Sequence, residues 1–197
     1  MSGATPSPEG IPASITRIVL TGFMGAGKTT VGALVAERLG WEFADSDRVV
    51  EARAGMTIAE IFERRGEAAF REMEAAAIRE TAPGDRLVLA VGGGALERAA
   101  TRDLLANLPD ALVVFLDAPL ETLVARCADH AEGPVRPVLA DGARLAERWK
   151  GRLPWYRQAH VTVETGGMTP EAVAECIAER PGLVAEIHER DQSGARA

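Results

Sequence analysis

The stretch Leu20–Thr30, LTGFMGAGKTT, sets glycines at 22, 25 and 27 ahead of a lysine and two threonines. Gly22, Gly27, Lys28 and Thr29 complete the spacing G-x-x-x-x-G-K-[ST]. Glycines in this pattern let successive N–H groups turn inward, and Lys28 opens a helix whose positive dipole end adds to the same concavity. The chemistry is the cradling of phosphate. Thr29 adds a hydroxyl beside the cradle, a hard oxygen of the kind that holds Mg²⁺ in phosphoryl-transfer sites.

A second constellation is Phe43-Ala-Asp45-Ser-Asp47, whose alternating carboxylates can serve different neighbours, one a metal and the other a substrate. A third is Leu87–Val91, an apolar run that ends in Gly92-Gly93-Gly94 with no acidic residue, so metal support is assigned to Asp45. Three glycines expose backbone N–H and C=O groups to a ligand. Read alone, either aspartate could instead cap the helix carrying Val49, Val50 and Glu51, and GGG is an ordinary loop.

Holding these groups together requires strands that end where they begin. Short apolar runs predict strands near 16–20, 42–44, 87–91, 111–116 and 160–164, with helices between them. LVLAV and ALVVFL are unbroken apolar runs, as expected of strands covered on both faces, which implies a parallel α/β sandwich. Val31, Leu34, Val35 and Leu39 recur at helical spacing until Gly40. Thr57 and Glu60 fit a capping box, Pro119 suits a first helical turn, and Thr169-Pro170 reads as a cap followed by proline.

The chain has 197 residues, 47% of them hydrophobic and 26% charged, enough for one domain with a sizeable core. A formal charge of −7 and the lack of a basic block argue against nucleic acid as a partner. No run is long enough to span a membrane, and residues 1–14 lack the pattern of a secretory signal, so a cytoplasmic protein is expected. Cys127 and Cys176 read as small core residues in a reducing compartment. His130, His160 and His188 show no metal-ligand spacing. Residues 1–14 are expected to be a disordered extension, 15–180 a single domain, and 181–197 a short helix with a polar tail.

GFMGAGKTTVG, FADSD, GEAAFREME at 66–74, VGGG, RPVL at 136–139 and GRLPWYRQA at 151–159 resemble the shikimate kinase family in content, order and spacing, over Ile18 to Ala178. The resemblance implies a P-loop kinase fold like that of nucleoside-monophosphate kinases. This is a three-layer α/β sandwich with a five-stranded parallel sheet in the order 2-3-1-4-5, flanked by helices, and a mobile lid at about 128–142. It implies ATP and Mg²⁺ as cofactors and the 3-hydroxyl of shikimate as acceptor, on the route to aromatic amino acids, in a protein that acts as a monomer.

By the same resemblance Gly25, Ala26, Gly27, Lys28, Thr29 and Thr30 bind the nucleotide, while Thr29 and Asp45 serve the metal, Asp45 through water. Asp47 holds the acceptor hydroxyls and takes the proton. Arg71 and Arg152 hold the acceptor carboxylate, and Gly93 and Gly94 offer backbone contacts to its ring. Arg136 closes over the phosphates, completing a catalytic set with Lys28 and Asp47. Arg126 is the candidate to stack on adenine, although the stretch from Arg126 to Arg136 is longer than the family pattern, and RPVL stands where RPLL is usual. Taken singly, Arg71 beside Phe70 and Met73 reads as a surface ion-pair partner, and Arg126 as a solvated cation at a helix end. The competing readings are a kinase for aminoshikimate or gluconate, and a nucleotide-binding module without turnover.

Overall fold

The computed structural model describes residues 15–129 and 142–179. The N-terminal extension, the terminal helix and tail at 181–197, and the lid with Arg136 lie outside the described residues. In chain order the elements are β1 (Arg17–Thr21), α1 (Lys28–Leu39), β2 (Glu42–Asp45), α2 (Ser46–Ala54) and α3 (Ile58–Thr81). Then come β3 (Leu87–Ala90), a 3-10 turn (Ala95–Glu97), α4 (Ala99–Ala106), β4 (Ala111–Asp117), α5 (Leu120–Asp129), α6 (Gly142–Tyr156), β5 (Val161–Glu164) and α7 (Pro170–Ala178).

The strands form one parallel sheet in the order β2-β3-β1-β4-β5. β3 is buried at every position and β4 at every position but the last, which is why their sequences carry no polar alternation. β5, at an edge, alternates buried Val161 and Val163 with exposed Thr162 and Glu164. Because the strands are parallel, Thr21, Asp45, Ala90 and Asp117 all end on one rim of the sheet, where open α/β folds bind ligands. Central β1 pairs with β3 on one side and β4 on the other, so its C-terminal end is the point where the winding reverses.

The helix ends follow local chemistry. α1 starts at Gly27 and stops at Gly40, both in the left-handed region (φ 86° and 64°). At the start of α3, the Thr57 hydroxyl accepts from the Glu60 N–H and the Thr57 N–H donates to the Glu60 carboxylate, completing the capping box. Thr169 caps α7, with Pro170 in the first turn. Pro119 differs from expectation: its carbonyl accepts the Leu123 N–H, so it precedes α5 as the cap position and is not part of the first turn. A break inside α3 at Gly66 (φ 80°, ψ 167°) was not foreseen.

Two apolar clusters result. The main one fills the space between sheet and helices and includes Ile18, Leu20, Phe115, Leu123, Tyr156 and Ile177. A smaller one, Val50, Ile61, Phe70 and Ala77, lies between α2 and α3. The second cluster holds the α2–α3 arm that carries Asp47, Arg71 and Glu74.

Candidate active site

The loop between β1 and α1 is shaped by close approach. Gly25 has φ 76°, and a Cβ there would sit 2.3 Å from the Leu123 carbonyl oxygen, so no other residue fits. The loop borders a cleft of about 560 Å³ that Gly25 to Thr30, Asp45, Asp47, Gly93, Arg126, Cys127 and Thr165 all line. The Lys28 ammonium donates to the Gly22 and Phe23 carbonyls at 2.9 and 3.0 Å, which holds it over the cradle. Cys127 is half-buried and faces Gly25 in this cleft, not the core. Cys176 packs against the main core, as expected.

Asp45 caps a helix and also bonds the threonine of the cradle. Its Oδ1 accepts the Asp47 N–H at 2.9 Å and caps α2, while its Oδ2 accepts the Thr29 hydroxyl at 2.6 Å. A hydroxyl and a carboxylate in contact at the rim of a phosphate cradle make a hard-oxygen donor set that fits Mg²⁺.

Asp47 lies in the first turn of α2 and turns inward. Burial, the nearby Glu74 and Asp45 carboxylates together raise its pKa from 3.8 to about 6, against the lowering effect of Lys28 and Arg71. Its Oδ1 is buried with no hydrogen-bond partner among the described residues, and so is Oε1 of Glu74. Both oxygens converge on Gly92, where a Cβ would lie 2.7 Å from Asp47 Oδ1 and 2.0 Å from Glu74 Oε1. Two buried acceptors with nothing to accept are costly unless a ligand brings donors.

The glycine triplet is therefore more than a flexible loop. Gly92 leaves room for the two carboxylates, and its N–H donates to the Ser46 hydroxyl at 2.9 Å. Gly93 presents its carbonyl to the Tyr156 hydroxyl. At Gly94 a Cβ would meet the Arg71 guanidinium, 2.4 Å from Nη2. Arg71 is indeed an ion-pair partner, to Glu67 at 3.1 Å and Glu74 at 2.8 Å, but its side chain is only 14% exposed and faces Gly94.

Arg152, on α6, is 4% exposed and lies over the Phe23 ring, 5.6 Å from its centroid. Its partner is Glu97 of the 3-10 turn, with Nε at 2.6 Å and Nη2 at 2.5 Å from the same Oε1. Arg126 is not a solvated cation: it donates to the Thr165 hydroxyl at 3.0 Å and the Thr165 carbonyl at 2.6 Å, on the wall of the cleft. Asp45, Asp47, Gly93 and Arg126 thus line one cleft with Lys28 and Thr29, while Arg71 meets Gly94 and Arg152 lies over Phe23 of the cradle loop.

Sequence reasoning missed Glu74, Glu97 and Tyr156. Glu74 had a signal, since it lies three residues after Arg71 on a helix. Tyr156 is the chain's single tyrosine, in a turn of α6 shared with Arg152. Nothing distinguishes Glu97 from the other acidic residues.

The shikimate kinase family model matches residues 24–180. The chain is 44% identical over 170 residues to a shikimate kinase of Gloeobacter violaceus, covering 83% of this chain and 93% of that one. A shikimate kinase of Symbiobacterium thermophilum is 42% identical over 182 residues, covering 90% and 99%. Among solved structures, a shikimate kinase from Acinetobacter baumannii in complex with shikimate is 36% identical with a TM-score of 0.75, covering 93% of this chain and 96% of that one. With its sheet order in agreement, the chain belongs to the shikimate kinase family.

Proposed function

We propose that the chain transfers the γ-phosphoryl group of ATP to the 3-hydroxyl of shikimate, giving shikimate 3-phosphate and ADP. The observation that carries this reading is the pair of unpartnered oxygens on Asp47 and Glu74, buried beside the phosphate cradle and flanked by two arginines. The acceptor hydroxyl donates to Asp47. As the bond from that oxygen to phosphorus forms and the bond to the β-phosphate oxygen breaks, the proton passes to Asp47. A carboxylate with a pKa of about 6 is ionised at neutral pH yet basic enough to receive it.

Lys28 and the loop N–H groups stabilise charge on the moving phosphoryl group, and Arg126 offers its guanidinium face to adenine. Thr29 directly, and Asp45 through water, would hold Mg²⁺, which would supply positive charge to offset that of the phosphates. Arg71 and Arg152 take the acceptor carboxylate through planar forks that lysine cannot imitate. Arg136, outside the described residues, closes over the phosphates with the lid, which excludes water from the reaction. This reading makes the chain a cytoplasmic monomer acting on small molecules, and its charge of −7 supports no nucleic-acid partner. No helix among the described residues is long and apolar enough to cross a membrane.

Acceptor-dependent ADP formation, measured with shikimate, aminoshikimate, quinate, gluconate and nucleoside monophosphates, tests the proposal. Turnover should be confined to shikimate and close ring analogues. Equal turnover with gluconate or a nucleotide would overturn it.

A further inference from the structure

Arg152 is a buried cation that cannot aim itself. Its guanidinium is gripped along one edge, where Nε and Nη2 both donate to a single oxygen of Glu97. Around this ion pair α6 and the segment after the glycine triplet are fastened at further points. The Tyr156 hydroxyl donates to the Gly93 carbonyl. Arg102 lies over the Trp155 ring, 5.3 Å from its centroid, and donates to the Leu96 and Glu97 carbonyls at 2.7 and 3.0 Å. The turn carrying Glu97 is thus fixed through its carbonyls by the Arg102 side chain, and Glu97 in turn fixes Arg152.

We infer that Glu97 is a positioning and specificity-determining residue for the acceptor: it occupies the Nε–Nη2 edge of Arg152 and so presents the Nη1 end to the acceptor carboxylate. The inference rests on the reading above, in which Arg152 holds that carboxylate. A guanidinium has five N–H donors in a rigid fork, so engaging one edge dictates where an incoming carboxylate can dock. Glu97 is itself exposed, with 35% of its side chain accessible, and does not line the cleft that holds the phosphate cradle and Asp47. Its influence is therefore on acceptor affinity and on the preference for an acid over a neutral analogue, and not on the phosphoryl-transfer step.

The test compares the parent enzyme with Glu97→Ala, Glu97→Gln and Arg152→Gln, each with shikimate and with its methyl ester. Thermal melting checks that each variant folds. Glutamine keeps an oxygen at the acceptor position of Glu97 and should retain Arg152 in place. Glu97→Ala should raise the KM for shikimate about tenfold, leave kcat and the KM for ATP within about twofold, and reduce discrimination between acid and ester by the same factor. Glu97→Gln should restore both acceptor KM and discrimination to within about threefold of the parent.

An unchanged acceptor KM in Glu97→Ala, or a Gln variant as impaired as the Ala variant, would overturn the inference. So would losses that fall equally on kcat and on both substrates, since that is what a general structural role would give. Arg152→Gln separates this failure from failure of the underlying reading. If Arg152→Gln discriminates acid from ester as well as the parent does, Arg152 does not hold the carboxylate. If it loses discrimination while Glu97→Ala keeps it, only the role of Glu97 is wrong.

Discussion

The phosphate cradle and the acceptor pocket meet at Gly93 but are built on opposite plans. The cradle is one continuous loop, shaped by glycine backbone, seated on the central strand and backed by the main apolar cluster. The proposed acceptor pocket draws on α2, α3, the glycine triplet and α6, and its α2–α3 arm rests on a cluster of four buried apolar residues. Its character comes from charge: Arg71 with Glu67 and Glu74, Arg152 with Glu97, and Asp47 raised toward neutrality. In the proposed reading, nucleotide binding is thus held by backbone conformation and acceptor binding by balanced ion pairs. Errors should be tolerated differently in each.

The sharpest break in the comparison is Asp47→Asn. Turnover should fall by about 10²–10⁴, the range expected for removal of a proton acceptor, while ATP binding is retained. Stability should move the other way. Because the folded-state pKa lies above 3.8, folding favours the protonated form. The parent therefore loses stability as pH rises from about 4 through 6 and recovers none above it. Asparagine escapes that loss, so the variant should be more stable by about 1–3 kcal/mol at pH 7.5, with the gain vanishing below pH 4. Thermal melts across pH would show it, and equal melting temperatures at pH 7.5 would remove Asp47 as a destabilised base.

Lys28→Ala should cost about 10²–10³ in kcat with little change in melting temperature, since two of its partners are carbonyls of its own loop. A large loss of stability would show that the lysine also holds the cradle together.

Arg71→Gln should do what no cradle substitution does, weakening acceptor binding and folding together, because Glu74 is 1% exposed and would lose its cation. Acceptor KM should rise by about tenfold to a hundredfold. Pairing it with Glu74→Gln should restore much of the melting temperature but none of the acceptor affinity; additive losses of stability would break the ion-pair account.

The smallest effect is expected of Asp45→Asn. Asparagine still caps α2, so folding should hold, while the Mg²⁺ concentration for half-maximal activity rises about tenfold. An unchanged Mg²⁺ requirement would take Asp45 out of the metal site.

This contrast also explains what could be read from the sequence. The cradle was legible because its geometry needs fixed residue types at fixed spacing, from Gly22 to Thr29. The strands were legible because burial on both faces leaves unbroken apolar runs such as ALVVFL. The aspartates were located, but the double duty of Asp45 was not, since an oxygen that caps and an oxygen that faces Thr29 belong to one side chain. Glu74 carried only the weak signal of its spacing from Arg71, and Glu97 none, because a carboxylate paired with a residue far along the chain looks like any surface acid. Glu97 meets Arg152 across 55 positions. The break at Gly66 was hidden because glycine inside a helical pattern is tolerated as often as it interrupts.

The outermost strands carry a further consequence, for behaviour at high concentration. β2 and β5 are each four residues long, and their exposed positions include Glu42 and Glu164. Short edges bearing carboxylates give a second copy few unpaired backbone groups to dock against and repel one as it approaches. The sheet that presents the site to substrate is thereby protected from growing into a fibre through its own margins.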